Sequence, residues 1–183
     1  MAEAAALVGL SEKEVRKEIE YKIINGDSLF ADVDNGRSSL RLPFSALVYL
    51  YLVRRSSLLL RSKERSSIYK RIVQIMARDE VPEQIEVEDP FYLRFSDGVA
   101  FLDDKIKHFL EWKASLVSNP DIMGGAETFP NSRLTVRHIG AMVERGADTQ
   151  EILEDYPYLD LADLEFARVF VRAYPDRTYV SVH

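Results

Sequence analysis

The chain contains no cysteine. That removes disulfides, thiolate nucleophiles and zinc–sulfur centres at once. It also lacks any apolar run near the roughly 20 residues needed to cross a bilayer. The longest such run, Phe44 to Val53, is interrupted by Ser45 and stops at Arg54 and Arg55. The first residues carry no basic charge ahead of their apolar stretch, so a secretory leader is not expected and the cytoplasm is the default location. Three histidines, His108, His138 and His183, lie too far apart to form a metal-ligand motif. No serine-elbow, phosphate-loop or dinucleotide fingerprint occurs, and Gly124-Gly125 is a lone pair. The paired acids Asp103-Asp104 and Glu154-Asp155 fall at helix starts or on helix faces, where capping and solvation account for them. These absences point to a protein without an active site, a metal or a cofactor.

What remains is a chain of 183 residues, 46% hydrophobic and 30% charged, the balance of a folded protein. Its net charge of −6 conceals an asymmetry. Residues 1–80 hold 14 Lys and Arg against 11 Asp and Glu, whereas residues 81–183 hold 10 against 19. A polyanion would suit the first part, and a basic partner the second; ordinary solvated faces would give the same counts.

Along the chain, punctuation is mostly helical. Ala2 to Val8 is alanine-rich and Gly9 breaks it. Ser11 followed by Glu14 is a capping box, and Val15, Ile19 and Ile23 then recur at helical spacing up to Asn25-Gly26. Helix, glycine turn, helix is the outline of a helix-turn-helix. Asn35-Gly36 between Leu29–Val33 and Ser39–Leu42 predicts a β-hairpin, placed like a wing. Pro43 opens a helix over 44–56, and another spans about 62–78. A second hairpin is expected from Tyr92–Phe95 and Val99–Leu102 around Ser96-Asp97-Gly98. A helix then runs over 104–117, and Ser118-Asn119-Pro120 marks a domain boundary. Thr135, Asp148 and Asp160 each cap a further helix, the three ending at Gly146, Pro157 and Pro175. The fold class is therefore mainly α with two short β-hairpins. A winged helix-turn-helix domain covers residues 1–82, a hairpin and connecting helix 83–118, a trihelical, homeodomain-like domain 119–175, and a tail 176–183.

Part of this pattern resembles a known family. The stretch Ile122-Met123-Gly124-Gly125, then Asn131-Ser132-Arg133-Leu134-Thr135-Val136, then Gly146, then Glu151-Ile152-Leu153-Glu154-Asp155-Tyr156-Pro157 is similar to the small antitoxin-associated domain of unknown function numbered four-three-three. Glu127 stands where that family has proline, Asn131 where it has glycine, and Thr135 where it often has proline. Asn tolerates the left-handed backbone that glycine would supply, and Ser132 keeps the hydroxyl. Arg133 matches the family's arginine, which is expected to brace the loop by several hydrogen bonds. More loosely, Gly9 to Lys17 followed by Leu42 to Leu50 resembles a MerR-like winged helix-turn-helix. Chains pairing the two modules look like VapB-type antitoxins. That resemblance implies a PIN-like RNase toxin as partner, repression of the shared operon and double-stranded operator DNA as a second partner. Pairing of two copies would supply operator symmetry, so a homodimer is expected.

In such a module, Lys13, Arg16, Lys17 and Lys22 lie off the apolar stripe of the helix opened by Ser11, with Arg37 at the hairpin tip and Arg41 on its second strand. These are the candidate DNA contacts. Glu12, Glu14, Glu18 and Glu20 on the same helix oppose that reading. A second basic group (Arg54, Arg55, Arg61, Lys63, Arg65, Lys70 and Arg71) could hold phosphates or simply be helix surface. Arg137 flanks Arg133 at the start of the last domain. The carboxylates Glu151, Glu154, Asp155, Asp160, Asp163 and Glu165 would repel DNA there, and suit either a protein partner or solvent.

Overall fold

The structure is a computed structural model that describes residues 1–25, 30–34, 37–56, 59–78, 81–88 and 91–175. Along the chain run α1 (Ala2–Leu7), α2 (Glu12–Glu20), β1 (Phe30–Asp34), β2 (Arg37–Arg41), α3 (Phe44–Ser56), α4 (Ser62–Met76), β3 (Gln84–Glu88), β4 (Phe91–Arg94), α5 (Phe95–Ser115), α6 (Val136–Glu144), α7 (Thr149–Asp155) and α8 (Leu161–Ala173). Among the described residues the strands form two separate two-stranded antiparallel sheets, and the protein is mainly α. The chain divides into two compact units, Glu3–Ile106 and Lys107 onward.

In the first unit, α1 ends where Gly9 turns to φ +75°. The Gly9 amide returns to Ala6 O and the Leu10 amide to Ala5 O, the paired bonds of a Schellman motif. α2 begins as the sequence implies: the Glu14 amide donates to Ser11 Oγ and the Ser11 amide to the Glu14 carboxylate. It stops short of Asn25-Gly26, however. Lys22 takes φ +55°, and the amides of Lys22 and Ile23 return to Ile19 O and Glu18 O. A second Schellman motif, closed on lysine instead of glycine, thus ends α2 at Glu20. It turns Ile23 and Ile24 into the core, where both are buried.

The β1–β2 register, Phe30 opposite Arg41 through Asp34 opposite Arg37, is the expected first hairpin; its Asn35-Gly36 turn lies outside the described residues. The second hairpin is not where the sequence placed it. β3 pairs with β4, with a bulge between Glu86 and Glu88, and Ser96-Asp97-Gly98 lies inside the first turns of α5. Phe95, Val99, Leu102, Ile106 and Phe109 form one helical stripe, and the short run Val99–Leu102 is a piece of it. Gly98 serves packing: a Cβ there would stand 2.6 Å from Leu52 Cδ2 of α3. Val15, Ala46, Val48, Tyr49, Ile68, Ile72, Ile85, Leu93, Phe95 and Leu102 share this unit's core.

The second unit begins inside α5 and not at Ser118-Asn119-Pro120. Trp112 and Leu116 pack on a core made by Phe129, Val136, Ile139, Ile152, Leu164, Ala167 and Phe170. Trp112 is anchored twice over. Its ring contacts those of Phe109, Phe129, Phe166 and Phe170, and its Nε1 donates to Asp163 Oδ1 at 2.7 Å. The other oxygen of Asp163 accepts the Asp160 amide, completing the capping box of α8. α6 and α8 lie in close contact at Gly140, where a Cβ would meet Ala167 O at 2.3 Å. α6 closes on Gly146 at φ +81° in a third Schellman motif. The buried Thr128 links Val117 and Thr135 through isolated β-bridges, a feature without a signal in the sequence pattern.

Candidate nucleic-acid interface

α2 presents two faces with different chemistry. Val15 is fully buried, and Glu18 beside it is held from two directions. Tyr49 Oη of α3 donates to Glu18 Oε2 at 2.8 Å, and Arg65 of α4 forms an ion pair with Glu18 Oε1. Burial first, then the adjacent Glu18 carboxylate, pushes the Tyr49 hydroxyl well above the usual tyrosine range, so it stays a donor. This polar knot fixes the helix from behind.

Glu12, Lys13, Arg16, Lys17 and Glu20 border one shallow depression on the opposite, outer face. There Arg16 Nη2 pairs with Glu12 Oε1 at 2.5 Å along the helix. Lys13 and Lys17 are exposed and make no ion pair among the described residues. Lys22 is exposed too, at the left-handed position just past the helix. Glu14 is engaged in the capping box. The Ser11 amide, then the Ser11 hydroxyl, hold its carboxyl below its ordinary range.

Three of the four carboxylates that argued against a polyanion are therefore already occupied. Glu14 caps, Glu18 is turned inward, and Glu12 is matched to Arg16; Glu20 alone is left among them. Of the hairpin candidates, Arg41 is exposed on β2, while the side chain of Arg37 lies outside what the structure describes. The second basic group is partly structural. Arg65 is spent on Glu18, and Arg71 Nη1 donates to Glu86 O at 3.1 Å.

In the C-terminal unit the motif residues shape backbone. Met123, Gly124 and Gly125 have φ of 49°, 67° and 84°, three left-handed residues in succession, and Asn131 has φ 54°. Asparagine thus carries the conformation for which glycine would otherwise be used. Ser132 Oγ donates to Phe129 O at 3.0 Å and accepts the Leu134 amide at 3.2 Å. Tyr156 is half-buried at the end of α7, and Pro157 follows it at the surface. The expected bracing by Arg133 is absent. It is exposed, with no hydrogen bond or ion pair among the described residues, because Ser132 and the loop's own amides already close the turn. Arg137 Nη1 instead donates to Tyr174 O at 2.8 Å. Glu144 of α6 receives a forked pair from Arg172 of α8, with Arg168 nearby, and Arg172 holds its carboxyl below the ordinary range. The described residues contain no group of three or more His, Asp or Glu placed to hold a metal ion. None of their helices is long and apolar enough to cross a membrane.

Comparison with known proteins defines the C-terminal unit first. Residues 116–171 match the family described as Protein of unknown function (DUF433), a span that contains Gly124, Arg133, Gly146 and Tyr156. Over nearly its whole length the chain is also similar to "Uncharacterized protein y4eO" of Sinorhizobium fredii (strain NBRC 101917 / NGR234). The two are 24% identical over 184 residues, which covers 96% of this chain and 81% of the relative. No solved structure matches the chain.

Proposed function

We propose that the chain is a non-enzymatic, DNA-binding antitoxin. It would repress its own operon through a winged helix-turn-helix formed by α1, α2 and the β1–β2 hairpin, and bind a PIN-like RNase toxin as its protein partner. The observation that carries this reading is the division of labour on α2. Its inner face is fixed by Val15, Tyr49 and Arg65, and its outer face keeps Lys13, Lys17 and Lys22 with most of the opposing carboxylate charge engaged elsewhere. The exposed Arg16–Glu12 pair is worth about 0.3–0.5 kcal/mol, and a phosphate that draws off Arg16 uncovers the Glu12 carboxylate, so the cationic character of this face rests on Lys13, Lys17 and Lys22. A homodimer would place two such helices on the two half-sites of an operator.

The homeodomain-like trihelical unit of α6, α7 and α8 serves the toxin in this reading. Between Gly146 and Ala167 the sequence has seven carboxylates and no Lys or Arg, a surface that repels DNA and suits a basic protein. Tyr158 and Leu161, 57% and 65% exposed, supply apolar contact area within it. The same surface favours a second reading, an interaction adaptor that never touches DNA.

Titration of the full chain with duplex DNA from its own promoter at several salt concentrations separates the two. A steep fall of log K with log salt is expected from counterion release, with the slope reduced by about 1 in each of Lys13→Ala and Lys17→Ala. A flat salt response would leave the adaptor. Co-purification with the product of a neighbouring short PIN-like reading frame tests the toxin half independently; DNA binding without such a partner would leave the other alternative, a stand-alone transcriptional regulator.

A further inference from the structure

The first unit also contains a groove of about 630 Å³ that the α2 surface does not use. It runs between the last turn of α3, strand β4 and the first turns of α5. Buried Leu52 and Leu93 form its floor, and Gly98 keeps that floor low, since a Cβ there would stand 2.6 Å from Leu52 Cδ2 and the leucine tip would have to shift. Its volume lies within the roughly 300–1,000 Å³ typical of small-ligand sites.

The walls are aromatic and cationic, with one carboxylate, Asp97, among them. Tyr51 and Phe101 stack with centroids 5.4 Å apart and planes 15° from parallel; Lys105 Nζ lies 6.0 Å from the Phe101 centroid, and Phe101 remains 47% exposed. Tyr92 of β4 is 54% exposed. Arg55 is pre-positioned by the same pair. Its Nη1 donates to Tyr51 Oη at 3.0 Å, and its guanidinium lies over the Tyr51 ring at 5.5 Å. No carboxylate is paired with it among the described residues. Arg94 faces Asp97 only at 3.9 Å, with both side chains well exposed, so its charge is weakly committed.

Exposed aromatic surface on Tyr92 and Phe101 beside a guanidinium oriented by Tyr51, with no carboxylate on it among the described residues, forms a site for a flat ring carrying an anionic group. Rings of this kind stack on aromatic side chains, and arginine meets phosphate through its planar fork. We propose that this groove binds a nucleotide, its base against Phe101 and Tyr92 and its phosphate on Arg55 and Arg94. Duplex DNA keeps its base faces stacked, so the ligand is either a free nucleotide or an unpaired residue of a single strand. This site is independent of the DNA contact assigned to α2.

Calorimetric titration of the full chain with the four ribonucleoside 5′-monophosphates, with adenosine, with inorganic phosphate and with oligouridylate and oligoadenylate tests the proposal. Saturable binding of at least one nucleotide or oligonucleotide is expected, with the nucleoside and phosphate alone at least about tenfold weaker. Stacking by one ring is worth about a factor of ten in affinity. Phe101→Ala and Arg55→Gln should therefore each weaken binding by about that factor, while circular dichroism stays that of the parent. A stronger signal from the oligonucleotides assigns the site to a strand; equal affinity per residue assigns it to the free nucleotide. Absence of saturable binding by every probe, or binding unchanged in both variants, overturns the proposal.

Discussion

Lys22 occupies a position that the chain elsewhere gives to glycine. Gly9 and Gly146 close α1 and α6 with φ of 75° and 81°, and Lys22 closes α2 at 55° by the same pair of backbone bonds. A side chain in the left-handed region costs about 1–2 kcal/mol, and glycine gives back about half of that gain through its freer unfolded chain. Lys22→Gly should therefore stabilise the protein by about 0.5–1 kcal/mol in urea unfolding. If Lys22 also meets a phosphate, the same variant will bind DNA more weakly while melting later, which separates the two roles.

Glu14 makes a statement about pH. Its folded pKa lies below the ordinary value near 4.5, so its contribution is fully present above that value and is lost as pH falls through the folded pKa. Glu144, lowered by Arg172, behaves in the same sense. Acid titration followed by circular dichroism should show helix loss beginning below about pH 4.5, and in Glu14→Gln the part belonging to α2 should be missing from the transition.

Among the elements, helix starts that carry a capping residue are legible in the sequence, the start of α5, at Phe95 where 104 is expected, is not, and helix ends are less so. Ser11, Thr135, Asp148 and Asp160 all cap as their spacing implies, because a capping bond is made within four residues of sequence. The end of α2 was missed because it rests on a lysine in a conformation that sequence assigns to Gly or Asn. Gly98 has the sequence context of a turn residue, whereas what it packs against, Leu52, lies far away in the chain. The candidate DNA contacts were legible as cations, but which carboxylates oppose them was not, since the fate of Glu18 depends on Tyr49 and Arg65. The aromatic groove draws on three elements and has no linear signature at all.

Gly140 is another residue whose reason is tertiary. Its hydrogen sits where α6 crosses α8, so Gly140→Ala must push the helices apart. Overpacking of this order costs about 2–3 kcal/mol. Trp112 is the single tryptophan of the chain and lies in that unit, so its fluorescence reads this loss directly in a denaturant titration. A midpoint equal to that of the parent would mean that α8 gives way without strain.

At the scale of the whole molecule, the position of the division is itself testable. Composition points to Ser118-Asn119-Pro120, whereas the packing of Trp112 and Leu116 puts the last turns of α5 into the C-terminal core. A fragment of residues 107–175 should unfold cooperatively. One starting at Asn119 loses the Trp112 ring and its bond to Asp163, about 3 kcal/mol of burial and hydrogen bonding out of the roughly 5–15 that a domain has. Its melt by circular dichroism should come at a clearly lower temperature than that of the longer fragment. Equal melts from the two fragments would return the boundary to the proline.

The clasp behind α2 has a consequence for how such a protein changes over generations. Both oxygens of one carboxylate are claimed by neighbouring helices, so the pose of α2 is specified from within and owes little to the residues it shows to the outside. Those outward positions can drift, and with them whatever the helix reads, without the scaffold having to be rebuilt each time.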